Sequence, residues 1–255
     1  MLKSDLVLLA APGIITNIVH NGLCRRFGPV AVVMEQPVPR RVLLAGRIRR
    51  QGLVAVLSQI AFVALVRPLL ERGSQAAVEA HCRDFALDRA DIGAGAIISV
   101  PSVNSQQCRE TLRALSPKLV VVNGTRIISH DTLAAPGAQF VNIHAGITPR
   151  YRGVHGGYWA LWNGEPQHCG VTVHLVDTGV DTGDVLGQAP ISPGPGDNFA
   201  SYPFLQLAAA LPILFDCVER GLQGPLQGRP AEGPSSLWYH PGLGQYLAGR
   251  TRSVC

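Results

Sequence analysis

The chain has 255 residues, a formal net charge of +5 and a hydrophobic content of 47%. This much apolar sequence is ample for a full core, which argues against a globally disordered chain, and the length fits one large α/β domain with at most a modest appendage. Because only 6% of the residues are aromatic and the basic residues are spread out except for one cluster, we expect no nucleic-acid-binding surface.

The first part of the chain has the pattern of an α/β unit. A short apolar run at 6–10 is followed by a turn at 11–13 and by helical spacing over 14–25. A second β-rich run covers 29–34. The opening residues lead directly into the first apolar run without a small-residue cleavage site, so we expect no signal peptide and a cytoplasmic protein.

Residues 40–72 form the unusual segment of the chain. Five arginines lie between 40 and 50, and a 14-residue run of mostly apolar residues, 53–66, follows them. That run is too short to span a bilayer, which needs about 20 residues. We interpret the segment as a helical insertion that is buried in the fold or in a dimer interface. A basic, apolar helix resting on an anionic membrane surface stays open as the alternative.

The middle of the chain alternates between strand and helix patterns. Three β-rich runs are predicted at 96–100, 118–123 and 140–143, with helices at 105–115 and 129–133 between them. Strands that alternate with helices predict a Rossmann-like α/β fold, in which helices flank a mostly parallel sheet. In such sheets the chemistry collects at the carboxyl ends of the strands.

The last third of the chain changes character. Two further β-runs at 170–176 and 185–191 are joined by a polar, Gly-rich turn, and the tail after 220 is rich in Gly and Pro. We therefore divide the chain into one domain, 1–220, that carries the insertion at about 40–72, and a short, irregular C-terminal extension, 221–255. The six cysteines form no Cys-x-x-Cys pair, which predicts reduced thiols and no metal site.

Asn142 and His144 lie two residues apart at the end of an apolar run, so a strand places both side chains on one side of the sheet. Asp181 follows in the sequence Val-Asp-Thr-Gly. An amide and an imidazole can stabilise a developing oxyanion, and a carboxylate can set the state of the imidazole and help to move a proton. These groups are what acyl transfer to a poor nucleophile requires.

Three ordered blocks resemble the N10-formyltetrahydrofolate-dependent formyltransferase family. They run from Leu119 to Ser129, from Val141 to Gly153 and from Gly170 to Gly183. The family includes glycinamide ribonucleotide transformylase, methionyl-tRNA formyltransferase and the small nucleotide-sugar N-formyltransferases, and the chain is most similar to the last group. The resemblance implies that residues 1–220 are a formyltransferase catalytic domain.

The same resemblance implies N10-formyltetrahydrofolate as the formyl donor and no metal. The implied catalytic residues are Asn142, His144 and Asp181, with His144 held protonated near Asp181. The family positions that line the pterin pocket, mainly through the backbone, correspond to Arg126, Ile127 and Ile128. The loop that closes over the pterin corresponds to Asp177, Thr178, Gly179 and Val180. Contacts to the acceptor amine are expected from Arg152, His155 and His174.

Departures from the family pattern narrow the acceptor. Glycinamide ribonucleotide enzymes have a loop of small residues after the first strand whose amides cradle a phosphate, whereas this chain has Ala-Pro-Gly-Ile-Ile at 11–15. The tRNA enzymes carry an additional C-terminal barrel domain, which nothing after Gly221 is expected to build. We therefore expect the acceptor to be the primary amine of a nucleotide-linked amino sugar for surface polysaccharide synthesis.

Several alternatives stay open. The acceptor could belong to purine synthesis, as glycinamide ribonucleotide, or to a siderophore, as hydroxyornithine. The chain could also be a hydrolase that releases formate from the same folate, or a folate-binding relative without activity. A homodimer and a peripheral membrane contact through residues 40–72 also remain open.

Overall fold

A seven-stranded mixed sheet forms the centre of the computed structural model, which describes residues 4–250. The strands of the described chain are β1 (Leu6–Ala10), β2 (Ala31–Glu35), β3 (Ile97–Val100), β4 (Leu119–Asn123), β5 (Gln139–His144), β6 (Arg152–Gly153), β7 (Gly170–Leu175), β8 (Val185–Pro190) and β9 (Leu237–Trp238). The order in the large sheet is β3-β2-β1-β4-β5-β7-β8, with β6 and β9 paired separately. The first five of these strands are parallel, and β7 and β8 continue antiparallel. The predicted, mostly parallel α/β sheet is confirmed.

Helices cover both faces of this sheet. The α-helices of residues 4–250 are α1 (Ile14–Phe27), α2 (Arg40–Gln51), α3 (Leu53–Ala61), α4 (Arg67–Gly73), α5 (Gln75–Asp84), α6 (Gln106–Leu115), α7 (His130–Leu133), α8 (Gly156–Trp162), α9 (Tyr202–Gln223) and α10 (Leu243–Arg250). A single π-helical segment, Phe62–Val66, joins α3 to α4, so that 53–73 is one continuous helix of 21 residues.

Two cores lie on opposite faces of the sheet because successive strand residues point to opposite sides. On one face, Leu8 and Val121 pack with residues of α1 and α9, including Leu214. On the other face, Val7 and Val120 pack with α6. This double burial explains why the central strands are continuous apolar runs without polar alternation.

A third, aromatic core lies beside the sheet and includes the C-terminal segment. Its buried members include Phe62, Tyr158, Trp159, Phe199 and Tyr246. The centroids of neighbouring rings in this core are 4.9–6.4 Å apart. The segment after 220 matches the predicted irregular extension only in part, because residues 224–236 contain no helix but regular elements lie on both sides of them. Helix α9 continues through that boundary, β9 adds to β6, and α10 packs into the aromatic core, so the boundary at 220/221 does not separate two structural units.

The part of the prediction that buries residues 40–72 within the fold is wrong, whereas burial in a dimer interface stays a prediction. None of the α2 residues is buried, and only Val56, Gln59 and Phe62 are buried between 53 and 66. By length and composition, two helices of the described chain could cross a membrane, 53–73 and 202–223. The second lies against the sheet with half of its apolar window buried, whereas only 17% of the first is buried.

Candidate active site

The predicted trio comes together at one edge of the parallel part of the sheet. Asn142 and His144 are both on β5, with Asn142 directly opposite His174 of β7 in the antiparallel register. Asp181 lies in the loop between β7 and β8 and adopts a left-handed backbone conformation, with φ of 51°. The loop thereby brings its carboxylate back over the end of β5, as carboxyl-end chemistry in this fold class requires.

The Asp181 carboxylate is the centre of the arrangement. Its Oδ2 accepts a hydrogen bond from the Gly153 backbone N–H at 2.9 Å and lies 3.2 Å from His144 Nδ1. Its Oδ1 makes longer contacts, 3.4 Å to the Asn142 amide nitrogen and 3.5 Å to His174 Nε2. Oδ2 is therefore well satisfied, and Oδ1 retains capacity to accept a further proton or hydrogen bond.

His144 is almost fully buried, and each of its ring nitrogens faces an acceptor. Nδ1 faces Asp181, and Nε2 lies 2.6 Å from the backbone carbonyl of Tyr151. Burial lowers the pKa of His144 below its ordinary value of 6.5, and Asp181 and the Tyr151 carbonyl only partly offset this effect. The lowered pKa favours the neutral ring, whereas the two facing acceptors favour the protonated ring that the resemblance implies. Both acceptors can be satisfied together only by the imidazolium, so a developing negative charge nearby would favour its protonation.

Asp181 itself stays ionised. Burial raises its pKa, but the hydrogen bond from His174, the charge of His144 and the Gly153 N–H together bring the pKa below its ordinary value. His174 donates from Nδ1 to the Leu175 carbonyl at 2.7 Å. Its Nε2 accepts from the Asn142 amide at 3.2 Å when the ring is neutral, and donates toward Asp181 Oδ1 at 3.5 Å when the ring is protonated. His174 is thus a fourth member of the network, placed against the trio from the neighbouring strand.

The chain after β5 folds tightly to hold His144. Gly146 and Gly156 lie close together in this turn. A Cβ added to Gly146 would lie 2.4 Å from the Tyr151 carbonyl oxygen and 2.8 Å from His144 Nε2. Only glycine allows this approach. The Tyr151 hydroxyl donates to Glu165 at 2.6 Å, and Arg150 pairs with the same carboxylate. These contacts fix the carbonyl that positions His144.

The C-terminal segment supports the same loop from outside. Strand β9 pairs with β6, and the Trp238 ring stacks on Tyr151 and Trp159 at centroid distances of 5.6 and 4.9 Å. The Trp238 indole N–H also donates to the Arg150 carbonyl at 3.1 Å. The segment that the sequence predicted as irregular is therefore a support for the residues that orient His144.

A cleft of about 500 Å³ opens beside the trio and contains most of the predicted folate positions. Its volume lies within the range of small-molecule sites. Arg126, Ile127 and Ile128 form one wall, but the Arg126 guanidinium pairs with Glu35 at 2.8 Å, so this residue offers mainly its backbone to the cleft. The Ile127 side chain is exposed and that of Ile128 is buried.

The loop after β7 forms the opposite wall. Asp177, Gly179 and Val180 line the cleft, whereas Thr178 does not. Asp177 accepts hydrogen bonds from the Gly179 N–H at 3.0 Å and from the Thr182 hydroxyl at 2.7 Å, so its carboxylate holds the loop in shape. The predicted contribution of Thr178 is therefore not supported by its position.

Three residues are predicted to contact the acceptor amine. His174 belongs to the network described above, and Arg152 and His155 lie in different surroundings. The Arg152 guanidinium donates to the Val180 carbonyl at 3.0 Å and is not among the residues that line these two clefts, so its observed contact anchors the loop. His155 lies where the first cleft meets a second one, with its ring 4.3 Å from that of Phe199. Burial, with the nearby His240 and two arginines, lowers the pKa of His155 to about 3.

The second cleft, of about 430 Å³, shares His155 and Pro203 with the first. Its walls are mainly apolar, with Ile14 and Ile15 from the start of α1. Its charged groups are Arg67 and Glu71 of α4, which form an ion pair at 2.7 Å. The cleft thus extends from His155 and Pro203, at the border of the first cleft, to the start of α1.

Two supporting residues were not predicted from the sequence. Glu35, buried at the end of β2, accepts the backbone N–H groups of Arg126 at 2.9 Å and Val103 at 3.2 Å. Asn104 donates to the Ile127 carbonyl and accepts from the Ser129 N–H. A carboxylate that directly follows an apolar run was the available signal for Glu35. The described residues include no group of three or more His, Cys, Asp or Glu side chains that could hold a metal ion.

Comparisons with known proteins agree with this geometry. The family model described as formyl transferase matches residues 72–201, just over half of the chain. A methionyl-tRNA formyltransferase of Desulforamulus reducens is 34% identical over 103 residues, which are 40% of this chain and 32% of that protein. The chain therefore spans about a third of that relative's length.

Solved structures show the same fold at low sequence identity. A sugar N-formyltransferase from a Shewanella species is 15% identical with a TM-score of 0.57, covering 97% of this chain and 87% of that one. HypX from Aquifex aeolicus, solved in complex with tetrahydrofolic acid, is 15% identical with a TM-score of 0.54, covering 94% of this chain and 30% of that one. From the family match and the shared fold, we conclude that the chain belongs to the formyl transferase family.

Proposed function

We propose that this protein is an N-formyltransferase that moves the formyl group of N10-formyltetrahydrofolate to a primary amine on a nucleotide-linked amino sugar for surface polysaccharide synthesis. The observation that carries the formyl-transfer part is the hydrogen-bonded set of Asn142, His144 and Asp181 at the end of β5. Family membership supports the same chemistry. The acceptor is the finer part of the proposal and rests on the second cleft.

The first cleft fits a folate head group. Its two walls are formed by residues 124–128 and by Asp177 with 179–181, together with the apolar side chains of Val122, Ile128 and Val176. A flat ring system with several donors and acceptors is suited to walls of this kind. When bound, the folate supplies the activated formyl group, and the residues of this chain then orient it and stabilise the charge that develops on its oxygen.

Asn142 and His144 are the groups that can stabilise that oxygen. The Asn142 amide nitrogen contacts His174 Nε2 at 3.2 Å and Asp181 Oδ1 at 3.4 Å, so donation to the oxyanion exchanges one of these two contacts. One such donor is typically worth about 3–4 kcal/mol of barrier. Because His144 has acceptors at both nitrogens, negative charge in the cleft favours its protonated form and adds to the stabilisation.

Asp181 is the group best placed to accept a proton from the attacking amine. Its Oδ2 is held by two short contacts, whereas the contacts of Oδ1 are at 3.4 and 3.5 Å. The amine must lose a proton as its bond to the formyl carbon forms, and the departing folate nitrogen must gain one. General acid–base catalysis of this kind contributes a factor of about 10² to 10⁴.

The second cleft supports an acceptor that is larger than a simple amine. It leads to the trio past His155, and its apolar walls can cover the rings of a sugar nucleotide. Arg67 offers a cation for a phosphate group, while the first βα turn presents Ile14 and Ile15 in place of a row of backbone donors. Thr16 donates back to the Ala11 carbonyl at 2.6 Å, so this turn is closed by its own hydrogen bonds.

The test is release of tetrahydrofolate from N10-formyltetrahydrofolate with a panel of acceptors. The panel contains amino-sugar nucleotides, glycinamide ribonucleotide, hydroxyornithine and a sample without acceptor. We expect release that depends on one amino-sugar nucleotide, with an increase in KM for that acceptor in Arg67→Gln. Release with glycinamide ribonucleotide or hydroxyornithine would overturn the proposed acceptor, and release without any amine would show a hydrolase.

A matched pair of histidine variants separates catalysis from folate binding. His144→Ala should lose turnover while its folate affinity stays within severalfold. His130→Ala removes a histidine whose side chain is 84% exposed on α7, and it should leave both quantities unchanged. Folate binding without turnover in the wild-type protein, across the whole panel, would contradict the proposal and favour a non-catalytic relative.

A further inference from the structure

The segment 40–73 forms a surface feature that the proposed reaction does not use. Helix α2 turns at Gly52, whose φ is 85°, and packs against α3, so that 40–73 is a helical hairpin. We call it the basic hairpin. Ten of its large apolar side chains are exposed by 38–82%, among them Val54, Leu57, Leu65 and Leu69.

The long helix of the basic hairpin is apolar on both of its faces. Its inner face buries Val56, Gln59 and Phe62, and the Gln59 amide donates to the His240 carbonyl and to Gln51, both at 2.8 Å. Its outer face carries Val54 and Leu57, exposed by 82% and 55%. A surface helix of a globular protein normally turns polar residues outward. Contiguous exposed apolar surface of this kind marks a site of interaction.

The hairpin also carries the positive charge of the whole protein. Residues 36–72 contain seven arginines and one glutamate, while the rest of the chain has 15 basic and 16 acidic residues. Within residues 4–250, none of the ion pairs involves the five arginines of α2, which are Arg40, Arg41, Arg47, Arg49 and Arg50. These cations are therefore available to an external anion.

This combination selects one kind of partner. A second copy that met the hairpin through a two-fold axis would place the same positive patch against itself, at an electrostatic cost. A nucleic acid would pair with the arginines but not with a broad aliphatic surface. An anionic lipid surface satisfies both features, because headgroups attract the arginines and the acyl boundary receives the apolar side chains.

We propose that the basic hairpin docks this protein on an anionic membrane surface, with the long helix lying parallel to the bilayer. Spanning is incompatible with the structure, because the inner face of the helix is packed in the aromatic core through Phe62 and is hydrogen-bonded through Gln59. Docking through the outer face leaves those contacts intact. The helix that binds the membrane is continuous with α4, which provides Arg67 and Glu71 to the second cleft.

Vesicle co-sedimentation of the full chain tests this proposal without any need for activity. Binding to vesicles of phosphatidylcholine with phosphatidylglycerol should exceed binding to pure phosphatidylcholine at least about tenfold and should weaken with added salt. Arg49→Gln with Arg50→Gln should weaken binding by about fivefold for each arginine removed, which corresponds to about 1 kcal/mol per basic residue. Val54→Ser with Leu57→Ser should also weaken it.

Matched variants elsewhere on the surface provide the controls. Arg89→Gln with Arg113→Gln removes two exposed arginines outside the hairpin, and Phe85→Ser removes a ring that is 52% exposed. Neither control should change vesicle binding. Equal binding to neutral and anionic vesicles, or no binding at low salt, would overturn the proposal. Concentration-dependent self-association that Val54→Ser with Leu57→Ser abolishes, in the absence of vesicle binding, would overturn it in favour of a dimer.

Discussion

The candidate active site and the basic hairpin depart from an ordinary protein surface in opposite ways. At the end of β5, ionisable groups are buried, and each of the three that surround Asn142 has a polar partner within 3.5 Å. In the hairpin, apolar side chains are exposed and the α2 arginines have no carboxylate partner among the described residues. The polar groups of the first region satisfy one another apart from those that face the cleft, whereas we propose an external partner for the second.

Removing a member of the buried network should have the largest effect. Asp181→Asn removes the carboxylate that holds His144 and faces Asn142, and we expect kcat to fall by about 10² to 10⁴-fold. Folate affinity should stay within severalfold, because the pterin walls are separate backbone segments. Asp131→Asn is the matched control, since its side chain is 81% exposed. Steady-state rates and folate titration measure both quantities, and an unchanged kcat in Asp181→Asn would contradict the assigned role.

A truncation on the inner face of the basic hairpin should destabilise the protein as much as a truncation in a core does. Phe62 is fully buried, with its ring 5.2 Å from that of Phe199 and 5.0 Å from that of Tyr246. Phe62→Ala leaves a cavity, and we expect a loss of about 3–5 kcal/mol in the free energy of unfolding, measured by denaturant titration. A loss below about 1 kcal/mol would mean that the hairpin does not pack on the aromatic core as described.

The C-terminal strand links the aromatic core to the catalytic edge. Trp238→Ala removes the ring that stacks on Tyr151, whose carbonyl orients His144. A small displacement of a positioned group can cost about 100-fold in rate, and we expect kcat to fall by about 10- to 100-fold with little change in folate affinity. Trp238→Phe keeps an aromatic stack and should restore most of the rate. Equal losses in both variants would point to a purely structural role.

Acid should lower the stability of the folded protein because burial lowers the pKa of His155. His155 has a pKa of about 3 in the folded protein against an ordinary value of 6.5. Its contribution to stability is therefore complete above pH 6.5 and is lost progressively as the pH falls toward 3. The slope is about 1.4 kcal/mol per pH unit for one proton. His155→Phe should reduce this dependence in thermal unfolding scans, and an unaltered slope would show that His155 does not cause it.

The outer face of the hairpin should show the smallest effect in solution. Val54 is 82% exposed, so Val54→Ser should change the free energy of unfolding by no more than about 0.5 kcal/mol and should leave turnover unchanged. Comparing its stability change with that of Phe62→Ala tests whether only the inner face of this helix packs against the protein. A loss comparable to that of Phe62→Ala would mean that the outer face is already covered by protein.

The sequence predicted the trio because its signals are local. Asn142 and His144 share one strand, and Asp181 lies in a recognisable block, so residue types and order were sufficient. The supports of the site depend on distant pairing: Glu35 reaches Arg126 across 91 positions and Trp238 reaches Arg150 across 88. No local pattern reports such contacts, so the sequence alone did not identify these supports.

The lack of long-range information in a local pattern also limits the prediction of the helices. Apolar spacing over 53–66 predicts a helix, but it does not show which of two apolar faces packs on the protein. Helix α9 has no counterpart among the predicted elements. Pro203 and Pro212 argue against a helix, yet Pro203 lies in the first turn, where the missing N–H has no intrahelical partner to lose. The central strands were predictable because burial on both faces gives uninterrupted apolar runs.

The most direct test of the central claim follows the formyl group itself. N10-formyltetrahydrofolate labelled with ¹³C in the formyl carbon is incubated with the protein and the amino-sugar nucleotide panel, and NMR locates the label. We expect it to appear as a formamide on the nitrogen of one acceptor and to stay on the folate in Asp181→Asn. Label found in free formate, or retained on the folate with every amine of the panel, would contradict the account.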